Sequence, residues 1–448
     1  MSIKRNVIYI TLLVLLSYNS FGQSAPDIDK KTYALYLSQN WDDLIDYSKN
    51  NIDLKQTDFF YLRMRLGTAY FENGDYLTAI KHFKKALSFY ESSALAKKYL
   101  FYSYKYTFQN SLAKSSYKQI QVKNKKDIYP IKNKFFKSIK IETGINLSNS
   151  LDINKNRNLL GDYDIYGESK YVGNTNYFHF GLSHDLSDNL SVYHGISSFN
   201  IQNDKKFCFP DSDTIIDYNL SQTDYYLNTT YTFKNGLNLS LALHTMSVSF
   251  TDHIIEYNPT NYQYIFKESP VKFTDFLLYA SVGKYYNKIY WQLGGSFSSI
   301  NSRKQNQFEL DISWLPFGNY KFVPGVKIVS YHESTLLDEP SISEIIFEPH
   351  ATISLNNSIW INASYTFGDL YNYHENSGYI VYNNPDKTVE KAEAALNFIL
   401  NKNITLTAKW RYMNRESKST TYIDEENYIK NSFNFKTYYI IGGITWNL

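Results

Sequence analysis

Histidines beside acids or hydroxyls are the first place to look for chemistry. Of nine histidines, five, His179, His184, His194, His244 and His350, fall in stretches that alternate polar with apolar residues. Neighbours in such a stretch point to opposite faces, so Asp185 cannot orient the adjoining His184. His179 and Asp185 share a face, but six residues put them about 20 Å apart, too far to hydrogen-bond. Ser183 between them lies in no nucleophile elbow, and no HExxH spacing, paired acidic cluster or phosphate-cradling glycine loop occurs. Gly294-Gly295 and Gly442-Gly443 read instead as close strand packing. These residues predict no catalysis, no metal site and no cofactor.

Charge is the chemistry that remains. Alternation puts Glu142, Asp185, Asp275, Glu309, Asp311, Glu348 and Glu393 on the face opposite the apolar one, with Lys140, Lys327, Lys391, Lys409 and Arg411. A register slip of one residue would invert every assignment. Such a set suits a charge-paired interior, water-filled or self-plugged, or the lining of a selective pore. Tyr371, Tyr373, Tyr379 and Tyr382 cluster in one polar link, where their rings could stack on sugars.

The elements holding these residues have a period of two from Phe136 onward. Leu237, Leu239, Leu241 and Leu243 alternate with Asn238, Ser240, Ala242 and His244. The runs starting at Ile289, Ile359 and Ile404 behave alike. Each is about ten residues long, enough for a tilted strand to cross hydrocarbon. Short turns at 187–189, 234–236, 287–288, 316–319, 356–357 and 401–402 alternate with longer polar links at 150–173, 203–221, 252–271, 335–341, 371–386 and 417–431. This asymmetry predicts a transmembrane antiparallel up-and-down β-barrel over residues 135–448, of about 14 strands within a range of about 12 to 16. An even count leaves both termini on the short-turn, periplasmic side.

Ahead of the barrel, residues 24–122 have helical periodicity with almost no Gly or Pro. In the stretch 66–87, Gly67 and Ala69 permit close helix approach, and Gly74 ends the first helix before Tyr76 begins the second. Ala79, Phe83 and Ala86 form the buried stripe, and Leu66 and Tyr70 pack with it. A shift of 34 residues carries Leu66 to Leu100, Tyr70 to Tyr104, Ala79 to Ala113 and Phe83 to Tyr117. The pattern resembles a tetratricopeptide repeat, which implies a short array that binds a peptide or protein partner. Residues 123–134 read as a basic linker.

The bulk composition is consistent with this organisation. Lys plus Arg number 46 against 43 Asp plus Glu, which excludes a basic nucleic-acid-binding surface. There are 43 Tyr and 29 Phe, yet mean hydropathy is only -0.42, as two-faced strands require. The lone Cys208, read as a loop residue, allows no intramolecular disulfide or thiolate zinc cluster. Lys4 and Arg5, the apolar run Val7 to Leu16, and small Ser20 and Gly22 read as a signal peptide over 1–22, too short to anchor a bilayer.

The final strand carries its own signal. Tyr438, Ile440, Ile444, Trp446 and Leu448 alternate to the C-terminus, which resembles the terminal signal read by the barrel-assembly machinery. A short repeat array before a barrel resembles the YaiO-like outer-membrane barrel family and, more distantly, the exopolysaccharide-export porins. The resemblance implies residence in the outer membrane, contact with its lipid, a periplasmic helical domain and a periplasmic protein partner, with polysaccharide as a candidate cargo. The expected function is therefore a transport or export barrel. A non-conducting scaffold for an envelope complex is the alternative, and an outer-membrane enzyme a remote one.

Overall fold

The structure, a computed structural model, describes residues 24–448 apart from 122–124, 126–127, 132–133, 162–163, 259, 261–262, 335–340, 385 and 425–426. The expected signal peptide and part of the basic linker lie outside the described residues. The chain divides into two compact units, residues 1–131 with 317–319, and 132–316 with 320–448.

Among the described residues the first unit has six helices: α1 (Ala25–Leu37), α2 (Trp41–Asn51), α3 (Phe60–Glu72), α4 (Tyr76–Phe89), α5 (Ala94–Tyr106) and α6 (Asn110–Lys118). Side chains cap the starts of four of them: Ser24, Asn40, Asp75 and Ser93 each accept a backbone N–H from the first turn. Gly74 has φ +76°, the left-handed conformation that closes α3 without a Cβ penalty. Leu66, Ala79, Phe83 and Ala86 are fully buried, and Tyr70 and Tyr76 are half-buried. A Cβ on Gly67 would lie 2.7 Å from the Phe83 ring, so the absence of a side chain there sets the spacing of α3 and α4. On its other side Phe83 stacks on Tyr99, with ring centroids 5.0 Å apart.

The second unit is a closed antiparallel barrel of fourteen strands. These are β1 (Ser138–Ser148), β2 (Tyr166–Asp185), β3 (Leu190–Phe209), β5 (Leu220–Thr232), β6 (Asn238–Asn258), β7 (Gln263–Tyr286) and β8 (Ile289–Ile300), followed by seven more. The second set is β9 (Arg303–Trp314), β10 (Phe322–Glu333), β11 (Ile342–Asn356), β12 (Ile359–Leu370), β15 (Lys387–Ile399), β16 (Ile404–Tyr422) and β17 (Tyr428–Asn447). Three short strands complete the set: β4 (Ser212–Asp217), β13 (Tyr373–Glu375) and β14 (Ile380–Tyr382). Closure comes from β1 pairing β17, from Ser138↔Asn447 to Ser148↔Thr437. Outward positions are apolar and exposed around the wall, including Phe178, Leu241, Leu293, Phe308, Trp410 and Ile440.

Barrel strands extend into four of the six links read as long loops. β2, β3, β6, β7, β16 and β17 run into them, up to Phe209, Asn258 and Tyr422 on the outgoing arms. The extensions mix polar and apolar residues on both faces, with Lys267 pairing Glu256 at 3.0 Å across the β6–β7 hairpin and Phe207 of β3 against Phe266 of β7. They therefore lack the alternation by which the rest of the barrel is recognised. Cys208 lies within β3 and is buried, not in a loop.

One further feature departs from a simple cylinder. β16 pairs β17 along one edge, while its other edge serves two partners: residues 405–416 pair β15 and residues 419–422 pair β2 at 166–169. The sheet thus branches at the loop end. The space enclosed by β16, β17, β1 and β2 is filled by Tyr171, Val172, Phe433 and Phe435, with Leu151 from the short helix α7 (Ser150–Asn154) packed against them.

A plugged lumen as the candidate functional site

Alternation turns every second residue of each strand inward, where no lipid-like surface can receive a charge and each must find a partner. Glu142 is 2% exposed; it accepts from Lys409 at 2.7 Å, pairs Lys140 at 3.1 Å and takes the Tyr379 hydroxyl at 3.2 Å. Lys327 pairs Glu348 at 2.9 Å, and Lys391 lies 3.5 Å from the same carboxylate while also pairing Glu375. Arg411 pairs Glu393 at 2.6 Å. Glu309 accepts the Tyr279 hydroxyl, and Asp311 lies 3.2 Å from His350. Asp275 accepts the backbone N–H of Asn301 at 3.1 Å. Asp185 stands apart at the short-turn end, 3.4 Å from Lys137.

The expected lumen residues thus form three groups, Lys140–Glu142–Lys409, Lys327–Glu348–Lys391 and Glu393–Arg411, with Asp185, Asp275, Glu309 and Asp311 outside them. Glycine makes room for part of this chemistry. The Tyr279 hydroxyl and Glu309 fill the space that a Cβ on Gly294 would need, and Gly443 lies against Glu142. Gly442 corrects the close-packing reading: it faces outward, with open space where its Cβ would be.

The link 371–386 corrects a second expectation. It does not reach outward to offer tyrosines to sugars; it folds into the barrel as the hairpin β13–β14. Tyr373 is fully buried and Tyr382 6% exposed. Tyr373 and Tyr382 pack with Val329, Tyr331 and Ile346, while Tyr379 and Val381 pack on the cluster holding Tyr226 and Leu277. The turn is Asn376-Ser377-Gly378 with φ of +52°, +59° and +79°. That triplet between two short alternating runs is a hairpin signal, and it was readable in the sequence.

Polar contacts hold the hairpin and its foot to β5, β6, β9 and β10. Tyr226 donates to the Ser377 carbonyl at 3.1 Å, His244 Nδ1 to the Gly378 carbonyl at 2.7 Å, and Gln307 to the His374 carbonyl at 2.9 Å. Asn372 at the hairpin's foot donates to Glu333 at 2.7 Å. Glu333, fully buried, also accepts from Arg303, Gln305 and Tyr331. The histidines serve the same architecture: His179 bonds Ser197 at 2.9 Å and Tyr193 at 2.6 Å, and His184 bonds His194 at 3.0 Å. Among the described residues no three His, Cys, Asp or Glu side chains are grouped to hold a metal.

No family model and no curated protein matches this chain. Solved structures similar to it include the translocator domain of the autotransporter NalP from Neisseria meningitidis, at 9% identity and TM-score 0.35, covering 77% of this chain and 99% of that one. The Pseudomonas putida toluene transporter TodX matches at 7% identity and TM-score 0.42, with 69% and 90% covered. A Pseudomonas aeruginosa FadL homologue matches at 8% identity and TM-score 0.40, also with 69% and 90% covered.

The hairpin leaves two spaces in the lumen. A chamber beside β14 is lined by Asn146, Phe199, Ile201, Gln222, Val381 and Arg415 among others. A vestibule toward the loop end is lined by both signs of charge, with Lys170, Arg303, Lys387 and Lys430 against Glu344, Asp369 and Glu416. The returning arm of the hairpin links them, since Asn383 lines the chamber and Asp386 the vestibule.

Proposed function

We propose that this chain is an outer-membrane transport barrel whose passage is closed by its own 371–386 hairpin, with a tetratricopeptide-type helical domain that docks a protein partner in the periplasm. The observation that carries this reading is the inward-folded hairpin. A barrel with an apolar exterior and a polar interior filled by one loop is built as a passage with a removable stop. The exposed apolar belt fits hydrocarbon, and an even strand number returns the chain to the side on which it started. The short-turn end is the periplasmic end on this reading. Paired helices with aromatics left at their surface, such as Tyr61 and Tyr90, are consistent with protein docking.

Planar-bilayer recording tests the passage. The full chain is expected to be nearly silent, and a variant lacking residues 373–382 to give a steady ohmic current. A second reading, a non-conducting scaffold, draws on the same hairpin, because its buried carboxylates are well supplied with donors. Silence from both proteins would favour the scaffold. For docking, tagged full chain should capture a periplasmic protein that a Phe83→Asp chain, with its helices disrupted, does not.

A further inference from the structure

Two histidines at the short-turn end of the barrel take no part in the lumen. His184 on β2 and His194 on β3 flank the turn at 187–189 and share the outward face with exposed Phe180 and Ile196. The strands pair Leu182↔His194 and His184↔Val192, so the two rings meet on the diagonal. Their centroids are 5.1 Å apart, and Nε2 faces Nε2 at 3.0 Å. Both rings are half-buried, and the Phe135 and Phe136 rings lie 5.3 and 5.4 Å from His184.

The hydrogen bonding fixes which nitrogen is available. The Phe135 carbonyl, which can only accept, lies 2.8 Å from His184 Nδ1. Nδ1 therefore carries the proton, and in the neutral ring the Nε2 lone pair is left bare and aimed at His194. A carbonyl that holds one ring nitrogen so that the other can ligate is the usual support of a metal-binding histidine. The separation is also that of two ligands on one ion. Imidazole nitrogens sit about 2.0–2.1 Å from a first-row ion, so at a right angle they lie about 3.0 Å apart and at the tetrahedral angle about 3.4 Å. A right angle belongs to square-planar or octahedral ions, and among these copper(II) binds nitrogen most strongly.

We propose that His184 and His194 form a two-nitrogen site for a divalent transition-metal ion, with copper(II) the best fit. Without the ion, a proton on His194 Nε2 bridges the rings. On binding, that proton moves to His194 Nδ1, both rings ligate in the neutral form, and water completes the coordination. The same His184 ring holds Phe135, by which the chain enters β1, so the ion would fasten β2, β3 and that entry together. The site is independent of the hairpin and of any passage through the lumen.

The test is titration of the untagged, chelator-stripped full chain in detergent with copper(II) chloride, followed by calorimetry and by electron spin-echo modulation. One equivalent should bind saturably with two coordinated imidazoles, and magnesium chloride should not compete. His184→Gln and His194→Gln should each weaken copper binding by about tenfold or more, because the chelate is lost, and leave at most one imidazole on the ion. His332→Gln, at an exposed histidine bonded to Ser343, should bind copper as the parent chain does. Compact migration on unheated gels checks that each variant is folded. No saturable copper binding, affinity unchanged in either folded variant, or an equal loss in His332→Gln would overturn the proposal, the pair then being an N–H···N hydrogen bond alone.

Discussion

His82 on α4 lies between an aromatic ring and a cation. Tyr70 stacks on it at 5.3 Å, and Arg63 points a guanidinium nitrogen at its Nδ1 from 3.4 Å. Burial, then the positive charges of Arg63 and Lys81, push its pKa down to about 3, with Asp58 opposing. The unfolded chain takes up this proton first, near pH 6.5, so the stabilisation is complete above that value and lost as pH falls toward 3. One proton corresponds to about 1.4 kcal/mol per pH unit. Denaturant unfolding followed by helical ellipticity should therefore show a steeper loss between pH 6 and 4 than in a His82→Gln chain. Parallel slopes would contradict the assignment. Gly67 offers a second check. Its neighbour Phe83 is held by Tyr99 and cannot retreat, so Gly67→Ala should cost the helical unit about 1–3 kcal/mol by overpacking.

At the scale of elements, the hairpin depends on Lys391. This ammonium is 2% exposed and lies between Glu375 on β13 and Glu348 on β11. Lys391→Met removes the cation that Glu375 pairs with directly, leaving it buried with the Tyr382 hydroxyl as hydrogen-bond donor, at a cost of about 3–5 kcal/mol. The hairpin should then leave the lumen, seen as current in planar bilayers and as cleavage at 376–378 by added protease. The position of the hairpin was not legible because a polar link reads alike whether it faces water outside a barrel or polar side chains inside one. Its shape was legible, since Asn376-Ser377-Gly378 needs left-handed backbone. The strand extensions were hidden for a related reason: with polar and apolar residues mixed on both faces, nothing marks their period. Leu237 to Leu243 alternate cleanly because one face of that stretch is apolar, and there the strand could be read directly. The pairing of His184 with His194 was not legible, because alternation gives each ring its face but not its partner across the turn.

For the whole molecule, the proposed membrane residence rests on the apolar belt, and the belt can be tested. Ile440 is 53% exposed on β17, midway along the closing seam. Ile440→Arg would place a charge against lipid at a cost of about 2–4 kcal/mol near the bilayer midplane. Lower yield of the compact, heat-modifiable form in membranes is expected, with Asn434→Arg, at an exposed polar position on the same strand, as the unaffected control. The branch of β16 bears on the same seam. β2 and β16 flank the β17–β1 pair, so their union at 166–169 and 419–422 acts as a clasp fastened across the join. Parting the wall sideways would mean breaking eleven residue pairs along the seam and unhooking four more above it. If the proposed passage carries cargo, that cargo would be confined to the axis where the hairpin sits, since this seam is fastened against lateral escape into the bilayer.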